Sequence, residues 1–129
     1  MKNEIKLGGV DVKLVSNALT PFVYTEIFRK DFFRVLLALR TLENKDAKTY
    51  TDEDYGLVLS RMGSLSEAAF VMAKQGEGLT AAELVQLSRV DYLEWLAGFE
   101  ADAFQDGATI QAILNTWQGQ AVGDVDAKN

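Results

Sequence analysis

Hydrophobic and polar residues alternate along the first fifteen positions of the chain. Two alternating runs are joined by Gly8-Gly9, and their apolar positions are Ile5, Leu7, Val10, Val12 and Leu14. Glycine accepts the positive φ angles of a two-residue hairpin turn. The pattern therefore predicts an N-terminal β-hairpin, which needs helices or another strand to pack against because a lone hairpin is marginally stable.

The next signal is a helix start. Thr20 is predicted as the N-cap and Pro21 as the first helical residue, where the missing N–H costs nothing. The spacing predicts that Phe22, Ile27 and Phe28 face inward.

Asp31 either caps a following segment or lies inside a continuing helix. The residues from Phe32 to Leu39 are apolar nearly all round, which is typical of a helix buried on most sides. The polar stretch from Thr41 to Tyr50 is predicted to be a loop.

A long helix is predicted from Thr51 to about Gln75, with Thr51 as N-cap and the acidic residues 52–54 in the first turn. Its apolar positions repeat at spacings of three and four and form one stripe: Tyr55, Val58, Met62, Leu65, Ala69 and Met72. This stripe favours contact with the protein's own core over an intermolecular coiled coil, because it covers fewer than three heptads. Gly63 could mark a kink, and Ser64-x-x-Glu67 a capping box if the helix restarts there.

Glycines at 76 and 78 are predicted to end the long helix. Thr80 is predicted to cap a segment from Ala81 to about Ser88, and Asp91 with Glu94 to cap another, so residues 80–104 fit either one helix or two.

After a break at Asp106-Gly107, one helical stripe is predicted from Ile110, Ile113, Leu114 and Trp117. Residues 118–129 are expected to be a disordered tail. The predicted fold is mainly α: an N-terminal β-hairpin followed by a compact bundle of four or five helices, forming one domain over residues 1–117.

Composition narrows the possible chemistry. The 129 residues include no cysteine and no histidine, so thiolate sites and ordinary serine triads are excluded. We therefore expect no enzyme, no cofactor and no metal. No apolar run of signal-peptide or membrane-span length is present, so we expect a cytoplasmic protein with no membrane contact.

The charge is unevenly distributed along the chain. Residues 1–50 carry nine Lys or Arg against six acidic residues, whereas residues 51–129 carry four against thirteen, and the whole chain has a net charge of −6. An acidic chain is a poor ligand for phosphate backbones, so no nucleic-acid partner is expected.

The best group of carboxylates is Glu100, Asp102 and Asp106, and an enzyme would have to depend on them. The favoured interpretation is a solvated acidic face, since no spaced calcium loop is present. Trp95 is expected in the domain core. Trp117 could either dock on its own domain or enter the groove of a partner.

Three stretches together resemble a known family. They are IKLGGVDVKLVSNALTPFVYTEIFRKDF, AAFVMAKQ, and YLEWLAGFE with a tryptophan some twenty residues later. Their order and spacing are similar to the tail assembly chaperones of long-tailed siphophages and prophages of Gram-positive bacteria. The resemblance covers roughly residues 4–117.

The resemblance implies a non-enzymatic role in viral morphogenesis. Such chaperones bind the tape measure protein, keep it soluble, help to recruit tail tube subunits, and leave before the virion is complete. The location implied is the cytoplasm of the bacterial host. A small structural virion protein of the tail or the head–tail joint is the alternative, and self-association through a hairpin edge is possible.

A partner-binding surface follows from this expectation. The edge formed by Tyr24, Arg29 and Lys30 is the candidate contact surface, with Trp117 as a further candidate anchor.

Overall fold

A computed structural model describes residues 1–33 and 47–119 of the chain. The strands are β1 (Lys2–Leu7) and β2 (Val10–Val15), and the helices are α1 (Thr20–Phe28), α2 (Asp52–Gly76), α3 (Ala81–Val85), α4 (Arg89–Leu96) and α5 (Gly107–Trp117). A short 3₁₀ helix, Ala47–Thr49, precedes α2. The architecture confirms a mainly helical fold behind an N-terminal hairpin.

The hairpin forms as predicted. β1 and β2 pair antiparallel with Leu7 opposite Val10 and Lys2 opposite Val15. Gly8 and Gly9 have φ angles of 58° and 85°, which only glycine adopts freely, so they build the turn. The hairpin packs on helices: β2 lies against α2, and β1 against α5.

The second half of α2 is the centre of the core. Every residue from Ser64 to Ala73 is buried, whereas a helix on a protein surface buries one stripe only. The predicted contact with the protein's own core is confirmed for Leu65, Ala69 and Met72, but burial here extends around the whole helix instead of along one stripe. The side chains of Tyr55, Val58 and Met62 lie outside the described part of the structure.

The ends of the helices follow local capping chemistry. Thr51 and Asp54 form a capping box at the start of α2, and Thr80 and Glu83 form one at α3. Gly78, with a φ of 86°, follows the end of α2 as predicted. Because α2 is continuous, Ser64 and Glu67 do not cap a restarted helix.

Two predicted caps are wrong, the first by one position and the second by three. Leu19, not Thr20, is the N-cap of α1, and the Thr20 hydroxyl instead donates to the buried Oε1 of Gln75 over 2.6 Å. The cap of α4 is Ser88, which forms a capping box with Asp91. Residues 80–104 therefore contain two helices, and Asp91 lies within the first turn of the second.

The prediction for the inward face of α1 is confirmed for Phe28 and wrong for Phe22, while Ile27 is partly buried. Thr20, Val23, Tyr24 and Phe28 are buried, whereas Phe22 is 72% exposed. The buried set follows the i, i+3, i+4, i+8 spacing of one helical face, so Phe22 points away from it.

Phe32 is buried, as predicted, but Phe33 is 59% exposed. The rest of the predicted segment to Leu39, much of the predicted loop, and the tail from residue 120 onward lie outside the described residues.

Polar side chains tie the hairpin to α5. The amide nitrogen of Asn3 donates to the hydroxyl of Thr116 over 2.8 Å, and the hydroxyl of Ser16 donates to the Thr116 carbonyl. Thr116 in turn donates to the Ala112 carbonyl. Buried polar groups need such partners, so these bonds define one arrangement of the hairpin on the helix.

Candidate partner-binding site

Tyr24 does not lie on an exposed edge. Direct contact of Tyr24 with a partner stays a prediction, but the side chain occupies the inward face of α1 and is fully buried. The reason is helical phase, because residue 24 lies one turn from both Thr20 and Phe28 on the side that packs against α2.

The hydroxyl of Tyr24 reaches a buried carboxylate. Glu67 on α2 has a side chain only 5% exposed, and its Oε1 accepts hydrogen bonds from Tyr24 over 3.0 Å and from the Lys30 ammonium over 2.6 Å. The guanidinium of Arg89 lies 3.7 Å from Oε2. A buried carboxylate is stable only when it is paired in this way.

This arrangement changes the acidity of the tyrosine. Burial raises the pKa of the Tyr24 hydroxyl well above its ordinary value, and the negative charge of Glu67 raises this pKa further. Tyr24 therefore remains protonated at neutral pH and acts as a hydrogen-bond donor to Glu67.

Trp117 packs on its own domain. Its ring centroid lies 4.3 Å from that of Phe32 and 5.7 Å from that of Tyr24. The side chain is partly buried, so one side of the indole covers the aromatic core while the rest reaches the surface. The end of α5 is held in place by this contact.

Lys30 is the link between the core and the surface at this site. Its side chain is 46% exposed while its ammonium neutralises Glu67. An acidic partner that approached Lys30 would compete with the buried carboxylate of Glu67 for the lysine ammonium.

Arg29 stands apart from the other predicted residues. Its backbone is left-handed, with φ of 56°, and forms the C-cap of α1. Its side chain is 78% exposed, and among the described residues its ion-pair partner is Glu26, at 4.0 Å. Tyr24 thus contacts the ring of Trp117 directly and is connected to Lys30 through the carboxylate of Glu67. The side chain of Arg29 lies in solvent.

Sequence reasoning missed Glu67 and Arg89 as members of the site. The available signal was a lone acid within SLSEAAFVMA, a stretch otherwise free of charge. A charged residue there is expected to be paired, because an unpaired charge at the centre of a helical core is costly.

The carboxylates of the predicted acidic cluster do not lie on one helical face. Asp106 caps α5 by accepting from the Thr109 amide, and no helix spans residues 97–105, so Asp102 and Asp106 do not share a helical face. Over residues 1–33 and 47–119, no group of three acidic side chains has the geometry to hold a metal ion. No helix within those same ranges is long and apolar enough to cross a membrane.

Comparison of the chain with protein-family models, with curated proteins and with solved structures finds no match.

Proposed function

We propose that the chain is a non-enzymatic phage tail assembly chaperone, in which a compact bundle of four or five helices behind the hairpin forms a docking platform. It binds the tape measure protein, keeps it soluble and helps to recruit tail tube subunits. It acts in the cytoplasm of the bacterial host and is absent from the mature virion.

One observation carries most of the support. The three stretches on which the resemblance depends meet at a single ring, that of Phe70. The centroid of Phe70 lies 6.3 Å from Phe28, 5.6 Å from Tyr92 and 5.6 Å from Trp95. Residues far apart in sequence thus serve one core, as expected if the three motifs belong to one inherited unit.

Apolar exposure supports a binding role. Phe22 and Phe33 are 72% and 59% exposed, at either end of the segment that holds Arg29 and Lys30. Exposed aromatic rings in the same segment of sequence as two cations suit a helical client with apolar faces and acidic side chains.

Co-expression with the tape measure protein of the same genome tests the proposal. The tape measure protein is expected to be soluble and to co-purify only when this chain is present. The double variant Phe22→Ser with Phe33→Ser should lose co-purification, while Val10→Ser, which removes an exposed apolar side chain from the hairpin, should retain it.

A tape measure protein that remains insoluble with this chain, and does not bind it, would reject the proposal. Detection of the chain at fixed copy number in purified particles would favour the alternative, a small structural protein of the tail or the head–tail joint.

A further inference from the structure

A cavity of about 340 Å³ opens on the side of the molecule formed by α2, α4 and the turns that follow α4. Its lining combines apolar and polar side chains: Ser66, Tyr92, Leu96, Phe99, Glu100 and Phe104. This volume is at the lower end of the range for ligand sites, so the cavity suits one or two side chains better than a cofactor.

Aromatic residues supply much of the wall. Tyr92, Phe99 and Phe104 line the cavity, and the rings of Phe99 and Phe104 meet edge to face with centroids 6.1 Å apart. Aromatic faces carry partial negative charge and attract cations such as guanidinium and ammonium groups.

Glu100 adds a full negative charge to this lining. The residue is exposed, and over the described ranges it has no ion-pair partner. By contrast, the polar groups deeper in the cavity are already engaged, since the hydroxyls of Ser66 and Tyr92 lie 2.6 Å apart in a hydrogen bond. The carboxylate of Glu100 is therefore available to an incoming cation.

An apolar surface adjoins the cavity. Leu93 is 49% exposed and lies one helical turn before Leu96, which lines the cavity, so the two occupy the same face of α4. A segment that places a side chain in the cavity would cover Leu93 as well.

We propose that this cavity receives the side chain of an arginine or lysine from a partner protein. The evidence is its aromatic wall, a carboxylate that has no ion-pair partner among the described residues, and the apolar surface beside it. An exposed ion pair contributes little by itself, so the cavity works as one anchor within a larger protein interface and not as a site for a free small cation.

The proposal goes beyond the chaperone function, because it concerns a separate surface and does not require that the partner be the tape measure protein. The tape measure experiment and the following one can therefore fail independently.

Titration of the full-length protein with three peptides, followed by NMR, tests the proposal. The peptides are acetyl-Leu-Arg-Leu-amide and its analogues with norleucine or glutamate at the central position. The arginine peptide should cause saturable shifts at Gly63, Leu96, Phe99 and Glu100, and should bind about tenfold more tightly than the norleucine peptide. The glutamate peptide should cause no saturable shift at these positions.

Two pairs of variants locate the effect. Gly63 lies at the cavity wall, and a Cβ there would meet no described atom within 4 Å. Gly63→Leu should therefore fill the cavity and abolish binding, while Gly63→Ala should preserve it. Glu100→Gln should weaken binding of the arginine peptide several-fold, whereas Glu94→Gln, at an exposed acid outside the lining, should not.

Several results would overturn the proposal. Equal binding of the arginine and norleucine peptides would define a purely apolar pocket. Equal binding of free spermidine would define a small-cation site. Shifts of Gly63 and Glu100 on dilution of the protein alone would identify a second copy of the chain as the occupant.

Discussion

The hydroxyl of Tyr24 donates a hydrogen bond over 3.0 Å to the carboxylate of Glu67, and this bond joins α1 to the buried half of α2. Both side chains are removed from water. The ammonium of Lys30 shares the same carboxylate oxygen, so the charge of Glu67 is balanced at the edge of the core.

Replacing Tyr24 with Phe should lower the free energy of unfolding by about 1.5–3 kcal/mol, because a buried charged acceptor loses one of its donors. Urea denaturation at neutral pH measures the change. The matched variant Tyr92→Phe, which loses a bond to the neutral hydroxyl of Ser66, should cost less, about 1 kcal/mol. Equal stability of wild type and Tyr24→Phe would contradict the assigned bond.

Stability should decrease at alkaline pH. Burial raises the pKa of both Tyr24 and Tyr92 in the folded protein. Above the ordinary tyrosine pKa of about 10, the unfolded chain releases protons that the folded chain retains, so stability falls as pH rises. Below that pH the contribution of these groups is complete.

The slope should be at most about 1.4 kcal/mol per pH unit for each of these tyrosines. Urea unfolding at a series of pH values around 10 measures this slope. The free energy of unfolding of Tyr24→Phe should decrease less steeply with pH than that of the wild type. Parallel slopes for the two proteins would show that Tyr24 does not titrate differently on folding.

Two glycines of α2 should respond oppositely to alanine. A Cβ on Gly76 would overlap the backbone carbonyl oxygen of Lys13, whereas a Cβ on Gly63 would meet no described atom within 4 Å. Gly76→Ala should destabilise the protein by about 1–3 kcal/mol through forced separation of β2 and α2. Gly63→Ala should stabilise it by about 0.5–1 kcal/mol through backbone entropy. Thermal and urea unfolding of the pair decide this, and losses of similar size in both variants would refute the close approach at Gly76.

Truncating Trp117 to Ala should cost about 2–3 kcal/mol, somewhat below the value for a fully buried tryptophan because this ring is partly exposed. The loss reflects its contacts with Phe32 and Tyr24. Phe22→Ala, at a ring 72% exposed, is the control and should change stability by less than about 0.5 kcal/mol. Similar small effects for both variants would mean that the indole is not part of the core.

At position 29, glycine should give a more stable protein than alanine. Its φ of 56° is unfavourable for a residue with a Cβ. Arg29→Gly should therefore exceed Arg29→Ala in stability by about 1 kcal/mol, since both remove the same charge and only the alanine retains the strain. Chemical denaturation of the two variants measures the difference, and a value near zero would argue against the left-handed cap.

Local chemistry made several elements predictable. The Gly8-Gly9 turn, the Thr51 and Thr80 caps and the end of α2 near Gly78 each depend on neighbours within four residues. Short stretches of sequence are enough to predict these features, because the hydrogen bonds of caps and turns join residues only three or four positions apart.

The phase of α1 was harder to predict. Phe22 and Phe28 are equally apolar, and only the packing of α1 against α2 buries one and exposes the other. The hydroxyl of Thr20 could likewise either cap its own helix or bond a distant group. In the folded protein it bonds the buried amide of Gln75, fifty-five positions away.

The candidate site shows the same division. The sequence pointed to Tyr24, Lys30 and Trp117, but the residue that joins the first two is Glu67, which no local pattern connects to them. A short-range signal cannot specify a pairing between positions 24, 30, 67 and 89, since these meet only when α1, α2 and α4 have packed.

By itself, the sequence determined the hairpin, the mainly helical class, the limits of α2 and the lack of histidine and cysteine chemistry, because these follow from composition and from contacts a few residues apart. Only the tertiary structure decided that Tyr24 is buried, that Trp117 packs on its own core, and that a cavity with an aromatic wall opens beside Glu100. Burial and pairing across distant segments depend on how whole elements pack, and that choice is made by the sum of many weak contacts.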